Sequence, residues 1–315
     1  MRFEEITASY IAEKRAVGYK MEKGERIMRR IALLHDELGC AEEELPKELV
    51  EAWTAKRPGE TESNRLGRAS DIRGLAQYMA RMGYSAYIAP GKQGYRDRGD
   101  YDPHIFTDAE LAALFGAADA LAEDGQACQR AQMATILVLL YSTGMRVGEA
   151  CALKKGDVDL ETGVLTVRHA KNDKDRLVPL HPSVAERLLA FANAAAIAHP
   201  QYAGHELFWS LPAGRPMPPR SVYGFFRKAL WGAGISHGGR GKGPRVHDLR
   251  FTYACHRLRA WVREGADVNA MLPVMAAYMG HADTRCTEYY LRLTAEQFPG
   301  MIAQVECECG WVIPS

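Results

Sequence analysis

His247-Asp248-Leu249-Arg250 is the stretch on which the reading turns. On a helix, residues three apart share a face, so an imidazole and a guanidinium stand side by side here. Two more segments extend the pattern. Upstream, Thr143-Gly144-Met145-Arg146-Val147-Gly148-Glu149 follows an apolar run and sets Arg146 on a turn, with Glu149 three positions on to hold it by a charge-assisted hydrogen bond. Downstream, Met279-Gly280-His281 reads as a helix closed by glycine with a histidine just beyond, and Thr287-Glu288-Tyr289-Tyr290 adds two tyrosines. Two arginines and two histidines converging on one anion, beside a phenol, are the parts a phosphoryl transfer requires. A tyrosine hydroxyl has a free pKa of about 10, so it needs a base or a strongly positive surrounding to attack at neutral pH.

Around these segments the chain reads as mainly α with one small antiparallel β-hairpin. Val164 to Arg168 and Arg176 to Leu180 alternate in a β-rich composition, and the polar Lys171-Asn172-Asp173-Lys174 between them makes a tip that carries lysines. Thr107 followed by Glu110 forms a capping box ahead of Leu111, Leu114 and Phe115. Further helices are expected over 131–141, 183–196, 221–230, 247–262 and 271–279. Between Thr7 and Tyr87 short helices alternate with breaks at Pro46 and Arg57-Pro58-Gly59; Ile27, Ile31, Leu34 and Leu38 repeat at helical spacing, as do Ile72, Leu75, Met79 and Met82. From Pro90 to Pro103 the composition shifts to Gly, Asp, Arg, Lys and Tyr without periodic apolar residues, as in an exposed linker. The expected division is a helical domain over 1–89, a linker over 90–104, a second domain over 105–300 and a tail over 301–315.

With 315 residues, 47% of them hydrophobic, the chain can build two cores. No run approaches the roughly 18 apolar residues of a membrane helix, which points to a cytoplasmic protein. Its seven cysteines are an odd, scattered set, consistent with reduced thiols; Cys307 and Cys309 form the one close pair, and no metal site is expected. A net charge of +1 argues against indiscriminate coating of DNA. Cations nevertheless cluster at Lys14, Arg15, Lys20, Lys23, Arg26, Arg29 and Arg30, and at Arg65, Arg68 and Arg73. On charge alone these are ordinary solvated faces.

Taken singly, every candidate has a plain reading: an ion pair for Arg146 and Glu149, a helix-end residue for His247, a turn residue for His281, a core aromatic for Tyr290. The set behaves differently. Arg146, Lys171, His247, Arg250, His281 and Tyr290, in this order, context and spacing, resemble the tyrosine recombinase (phage integrase) family, over a catalytic domain running from about Thr107 to Tyr290. The N-terminal bundle looks like that family's core-DNA-binding domain. Lys171 fits the family's hairpin lysine better than Lys174, and Tyr290, nine positions beyond His281, fits its tyrosine better than Tyr289. Phe251 stands where many members carry a second histidine, and Met279 replaces a frequent leucine.

The resemblance implies a two-domain clamp, a helical bundle plus an α+β catalytic domain, closing on double-stranded DNA. It implies a site-specific recombinase or integrase that cuts and rejoins strands through a 3′-phosphotyrosine at Tyr290, without metal or cofactor, serving a mobile element. Arg146 and Arg250 would clamp the phosphate, Lys171 would protonate the leaving oxygen, His247 would assist proton transfer, His281 would bond the phosphate and Glu149 would support Arg146. Arg65, Arg68, Arg73 and Lys174 are the candidates for DNA contact. A homo-oligomer, dimeric on one site and tetrameric in synapsis, is implied, with Trp311, Val312 and Ile313 of the tail packing on a neighbour; accessory DNA-bending proteins fit the same scheme. The alternatives are a type IB topoisomerase, a telomere resolvase, or a non-catalytic DNA-binding relative.

Overall fold

The computed structural model describes residues 2–90, 102–123, 127–168, 175–209, 216–239, 243–280, 290 and 294, with backbone alone at 123, 127 and 128. Most of the expected linker, the hairpin tip with Lys171 and Lys174, His281, Tyr289 and the tail lie outside the described residues. The chain divides into two units, Met1–Tyr101 and Asp102–Ser315.

Among its described residues the first unit holds four helices, α1 (Phe3–Ala16), α2 (Glu22–Glu37), α3 (Lys47–Thr54) and α4 (Glu62–Arg81). Strands β1 (Glu44–Leu45) and β2 (Ser85–Ala86) form a short parallel pair. Ile6, Ile31, Leu49, Ile72, Leu75 and Met79 are wholly buried at its centre. Each such aliphatic side chain stabilises the fold by about 1.5–3 kcal/mol relative to exposure. The buried stripe of α2 is Met28, Ile31, Ala32 and His35, while Leu38 is 48% exposed. That differs from the face expected around Ile27, Ile31, Leu34 and Leu38, because His35 turns inward: its Nε2 lies 3.0 Å from the Ala41 carbonyl and 3.1 Å from that of Glu44, and its ring stacks on Phe3. Met82, past the end of α4, is exposed as well.

In the second unit α5 (Asp108–Glu123) starts at the foreseen capping box: Glu110 N donates to Thr107 Oγ1 at 3.1 Å and Thr107 N to Glu110 Oε2 at 2.8 Å. Next comes α6 (Ala127–Thr143), buried along Ala134, Ile136, Leu137, Leu139 and Leu140 and packed on by α5 and by α8 (Pro182–Ala198), α9 (Pro219–Gly232) and α10 (Asp248–Arg263). A five-residue helix, α7 (Val147–Cys151), follows, and α11 (Val268–Met279) follows α10, its first turn capped by the Asp267 carboxylate. Strands β3 (Val158–Asp159), β4 (Val164–Val167) and β5 (Arg176–Pro179) make an antiparallel sheet in the order β3-β4-β5. Leu165 faces Val178 and Val167 faces Arg176, so the inward side of β5 carries Arg176 and Val178 while Leu177 points to solvent. The mainly helical fold with a small antiparallel sheet in the second unit is as expected; the two-residue strands β1, β2 and β3 are additions too short to show in a pattern. Among the described residues, no helix is long and apolar enough to cross a membrane.

Candidate active site

Three chain turns bring the site together. At the end of α6, Thr143 Oγ1 donates back to the Leu139 carbonyl at 2.6 Å, and Gly144 takes a left-handed φ of 60°. A Cβ there would sit 2.5 Å from the Tyr253 ring, so only glycine fits. The chain then enters α7, where Trp209 Nε1 holds the Ala150 carbonyl at 2.6 Å. Gly280 closes α11 with a φ of 68°.

The carbonyls freed at these helix ends bind the arginines. Arg250, on α10 and 2% exposed, donates from Nη1 to the Gly144 carbonyl at 2.5 Å and from Nη2 to the Met279 carbonyl at 2.9 Å. Arg146 donates from Nη1 to Glu149 Oε1 at 2.8 Å and from Nη2 to the Gly280 carbonyl at 3.3 Å. Among the described residues it thus has two partners for the five N–H groups of a guanidinium. Glu149 also accepts from the Arg146 backbone N at 2.9 Å, which fixes the start of α7.

Tyr290 lies in helical backbone, its carbonyl accepting from Thr294 Oγ1 at 2.7 Å, and it is 4% exposed. Its hydroxyl is hydrogen-bonded to the Arg250 side chain. Phe251 packs between the site's two proton-bearing rings, 5.2 Å from His247 and 5.5 Å from Tyr290 between centroids. Arg146, Glu149, His247, Arg250 and Tyr290 are therefore neighbours, though the sequence separates them by up to 144 positions (290 minus 146).

The electrostatics are those of a cationic, partly dry site. Burial raises the Tyr290 hydroxyl above its ordinary pKa of 10.0, while the charge and hydrogen bond of Arg250 and the charge of Arg146 pull it back. Burial outweighs the charge of the arginines, so the Tyr290 hydroxyl keeps its proton at neutral pH. His247 is lowered to about 4, by loss of water around its ring and by the charges of Arg250 and Arg146. One part of the residue stays exposed. It is neutral at physiological pH and able to accept a proton. Glu149 falls to about 2: burial opposes ionisation, but Arg176 and Arg146 prevail through their hydrogen bonds and charge.

Residues 105–297 match the phage integrase family model. The chain belongs to the phage integrase, or tyrosine recombinase, family. It is 35% identical over 233 residues to the integrase/recombinase y4rE of Sinorhizobium fredii, covering 74% of each chain. A second protein of that organism, y4rB, is 29% identical over 315 residues and covers 97% of its own length. The Tn1549 transposon integrase bound to a circular intermediate DNA shares the fold, with a TM-score of 0.66 at 18% identity over 92% of this chain and 95% of the other.

In this recombinase one residue of the site had drawn no notice in the sequence. Arg176 donates from Nη2 to Glu149 Oε2 at 2.7 Å, from Nη1 to Oε1 at 3.3 Å, and from Nε to the Tyr278 carbonyl at 2.9 Å. A signal existed: an arginine in register with Val178 on the inward face of a strand must find partners. The guanidinium lies so close to Gly280 that a Cβ there would sit 2.7 Å from Nη1. Gly280→Ala should lower stability by about 1–3 kcal/mol, from the left-handed backbone and this clash, and slow strand cleavage. Denaturant unfolding checks it; an unchanged midpoint would mean that the guanidinium moves aside freely.

The three arginines singled out in the first unit are used within the fold. Arg65 pairs with Glu62 at 2.6 Å. Arg68 is held by Glu60 at 2.5 Å and by the Trp53 and Ala55 carbonyls. Arg73 donates to the Ala89 and Pro90 carbonyls at 3.2 and 3.0 Å.

Proposed function

We propose that this recombinase cuts and rejoins double-stranded DNA at a defined site by transesterification on Tyr290. The observation that carries the reading is the convergence of two arginines, Arg146 and Arg250, on one buried tyrosine, with a neutral histidine, His247, beside both arginines. Tyr290 Oη attacks the scissile phosphorus as the bond to the 5′ oxygen breaks, leaving a 3′-phosphotyrosine and a free 5′-hydroxyl. A 5′-hydroxyl from a second strand later reverses the step, so the energy of the broken bond is kept and no nucleotide is consumed. Arg146 and Arg250 hold the non-bridging oxygens as charge builds on them; held by carbonyls and a carboxylate before substrate arrives, they need little reorganisation. His247 assists proton transfer at the tyrosine, Lys171 gives a proton to the leaving oxygen, and His281 bonds the phosphate.

The division into a DNA-gripping domain over 1–89, a linker over 90–104, a catalytic domain over 105–300 and a tail over 301–315 belongs to the same proposal. So do assembly as a dimer on one site and a tetramer in synapsis, with the tail on a neighbouring copy. Arg65, Arg68, Arg73 and Lys174 remain the proposed phosphate contacts; Arg68 is the weakest, since its donors are turned to Glu60 and two carbonyls. Phosphate contacts of this kind add affinity without reading sequence.

The test is a duplex with a nick beside the cleavage position, so that the short 5′-hydroxyl fragment is lost and the adduct is trapped. With the ends of the mobile element that carries the gene, and with a metal chelator present, an adduct resistant to denaturation should accumulate. Binding without adduct under every condition would favour the non-catalytic relative. Relaxation of supercoiled DNA lacking paired sites would favour the topoisomerase.

A further inference from the structure

We propose that Arg176 is a positioning residue for strand cleavage, acting through Glu149: by occupying that carboxylate with a two-pronged ion pair, it leaves the positive charge of Arg146 uncompensated for the phosphate. The inference rests on the transesterification reading above and names a device within that site.

One carboxylate lies between two guanidiniums. Glu149 receives Arg176 on both oxygens, at 2.7 and 3.3 Å, and Arg146 Nη1 on one, at 2.8 Å. The trio therefore carries a net charge of +1. Where that excess sits is decided by burial. The Arg176 and Glu149 side chains are each 9% exposed, whereas that of Arg146 is 29% exposed. The planar fork of an arginine matches a carboxylate on both prongs, so the buried pair is the matched one and Arg146 is the member facing outward with charge to spare. Were Arg176 absent, Glu149 would stand one to one with Arg146 and cancel the charge that the transition state needs.

The same guanidinium is fixed from the other side. Its Nε donates to the Tyr278 carbonyl, and it packs against Gly280, whose own carbonyl accepts from Arg146. Arg176 begins β5, five positions after Lys171 in the chain. It thus ties the strand leaving the lysine-bearing segment to the end of α11, where both phosphate-binding arginines are anchored.

The experiment is single-turnover cleavage of the nicked duplex at saturating protein, with DNA binding and thermal melting measured in parallel, for wild type, Arg176→Gln, Arg176→Lys, Glu149→Gln and the Arg176→Gln/Glu149→Gln double variant. Arg176→Gln should cleave about 10- to 100-fold more slowly while binding DNA normally, somewhat less than the loss from deleting a direct transition-state donor. Adding Glu149→Gln restores the +1 charge and should recover about tenfold of that loss, an inverted coupling that a purely structural role does not give. Arg176→Lys keeps the charge without the fork and should cleave faster than Arg176→Gln. The proposal is overturned by a double variant no faster than Arg176→Gln, by an Arg176→Gln protein at the wild-type rate, or by a folded Arg176→Lys protein as slow as Arg176→Gln. If Arg176→Gln does not fold, Arg176→Lys decides: cleavage kept within about tenfold supports the charge argument, and loss in the folded protein refutes it. A wild-type protein that forms no adduct overturns the parent reading and this one together, whereas failure of the rescue alone leaves the parent reading standing.

Discussion

Tyr290→Phe is expected to bind its DNA as the wild type does and to form no covalent adduct. The substitution removes one oxygen, the only atom of the side chain able to attack phosphorus. The fold should tolerate the change. The ring of residue 290 packs on Phe251 and belongs to the same buried apolar cluster as Cys255, Leu258 and Met279, surroundings that a phenylalanine satisfies equally. What disappears is the bond to Arg250, worth about 1 kcal/mol and partly offset by the lower desolvation of a hydroxyl-free ring. Tyr289→Phe is the matching control and should still form the adduct. Gel-shift titration and adduct yield on the nicked duplex separate the two functions; an adduct from Tyr290→Phe, or its loss in Tyr289→Phe alone, would transfer the nucleophile to the neighbour.

The second large effect is expected at Arg250, and there chemistry and stability fall together. Its guanidinium, 2% exposed, joins the ends of two helices by donating to the Gly144 and Met279 carbonyls. Arg250→Ala removes a clamp on the transition-state oxygens and should slow cleavage by about 10³-fold or more. It also leaves two carbonyls without their donor and a void beside Tyr290, lowering stability by about 2–4 kcal/mol. Arg146→Ala should slow cleavage comparably yet cost less stability, because that side chain is 29% exposed and solvent can serve its partners. Single-turnover rates and urea unfolding of the two variants check the contrast. Equal stability losses would mean that burial does not set the difference, and an Arg250→Ala rate within tenfold of wild type would remove Arg250 from the clamp.

What could be read beforehand follows from what is local. The capping box at Thr107 and Glu110, the glycine that ends α11 and the pairing of β4 with β5 are decided within a few residues, and each stands where the pattern placed it. The joint presence of Arg146, His247, Arg250 and Tyr290 was legible as an ordered set, since a site assembled from distant segments leaves its residue types in the chain even when its geometry is invisible. Other features depend on partners far away in sequence. Arg176 gains meaning only when β5 is laid beside Glu149 and Tyr278, and the inward turn of His35 only when the Ala41 and Glu44 carbonyls are folded over α2. The balance at Tyr290 is hidden from the sequence for a similar reason. Charges can be counted along a sequence, but the burial that outweighs them belongs to the packed fold.

The most direct measurement is to digest the trapped protein–DNA adduct and identify by mass spectrometry the side chain that carries the nucleotide. The account requires the phosphate on the oxygen of Tyr290, with none on Tyr289 or on any serine. A nucleotide found on another residue, or an adduct that survives Tyr290→Phe, would contradict it.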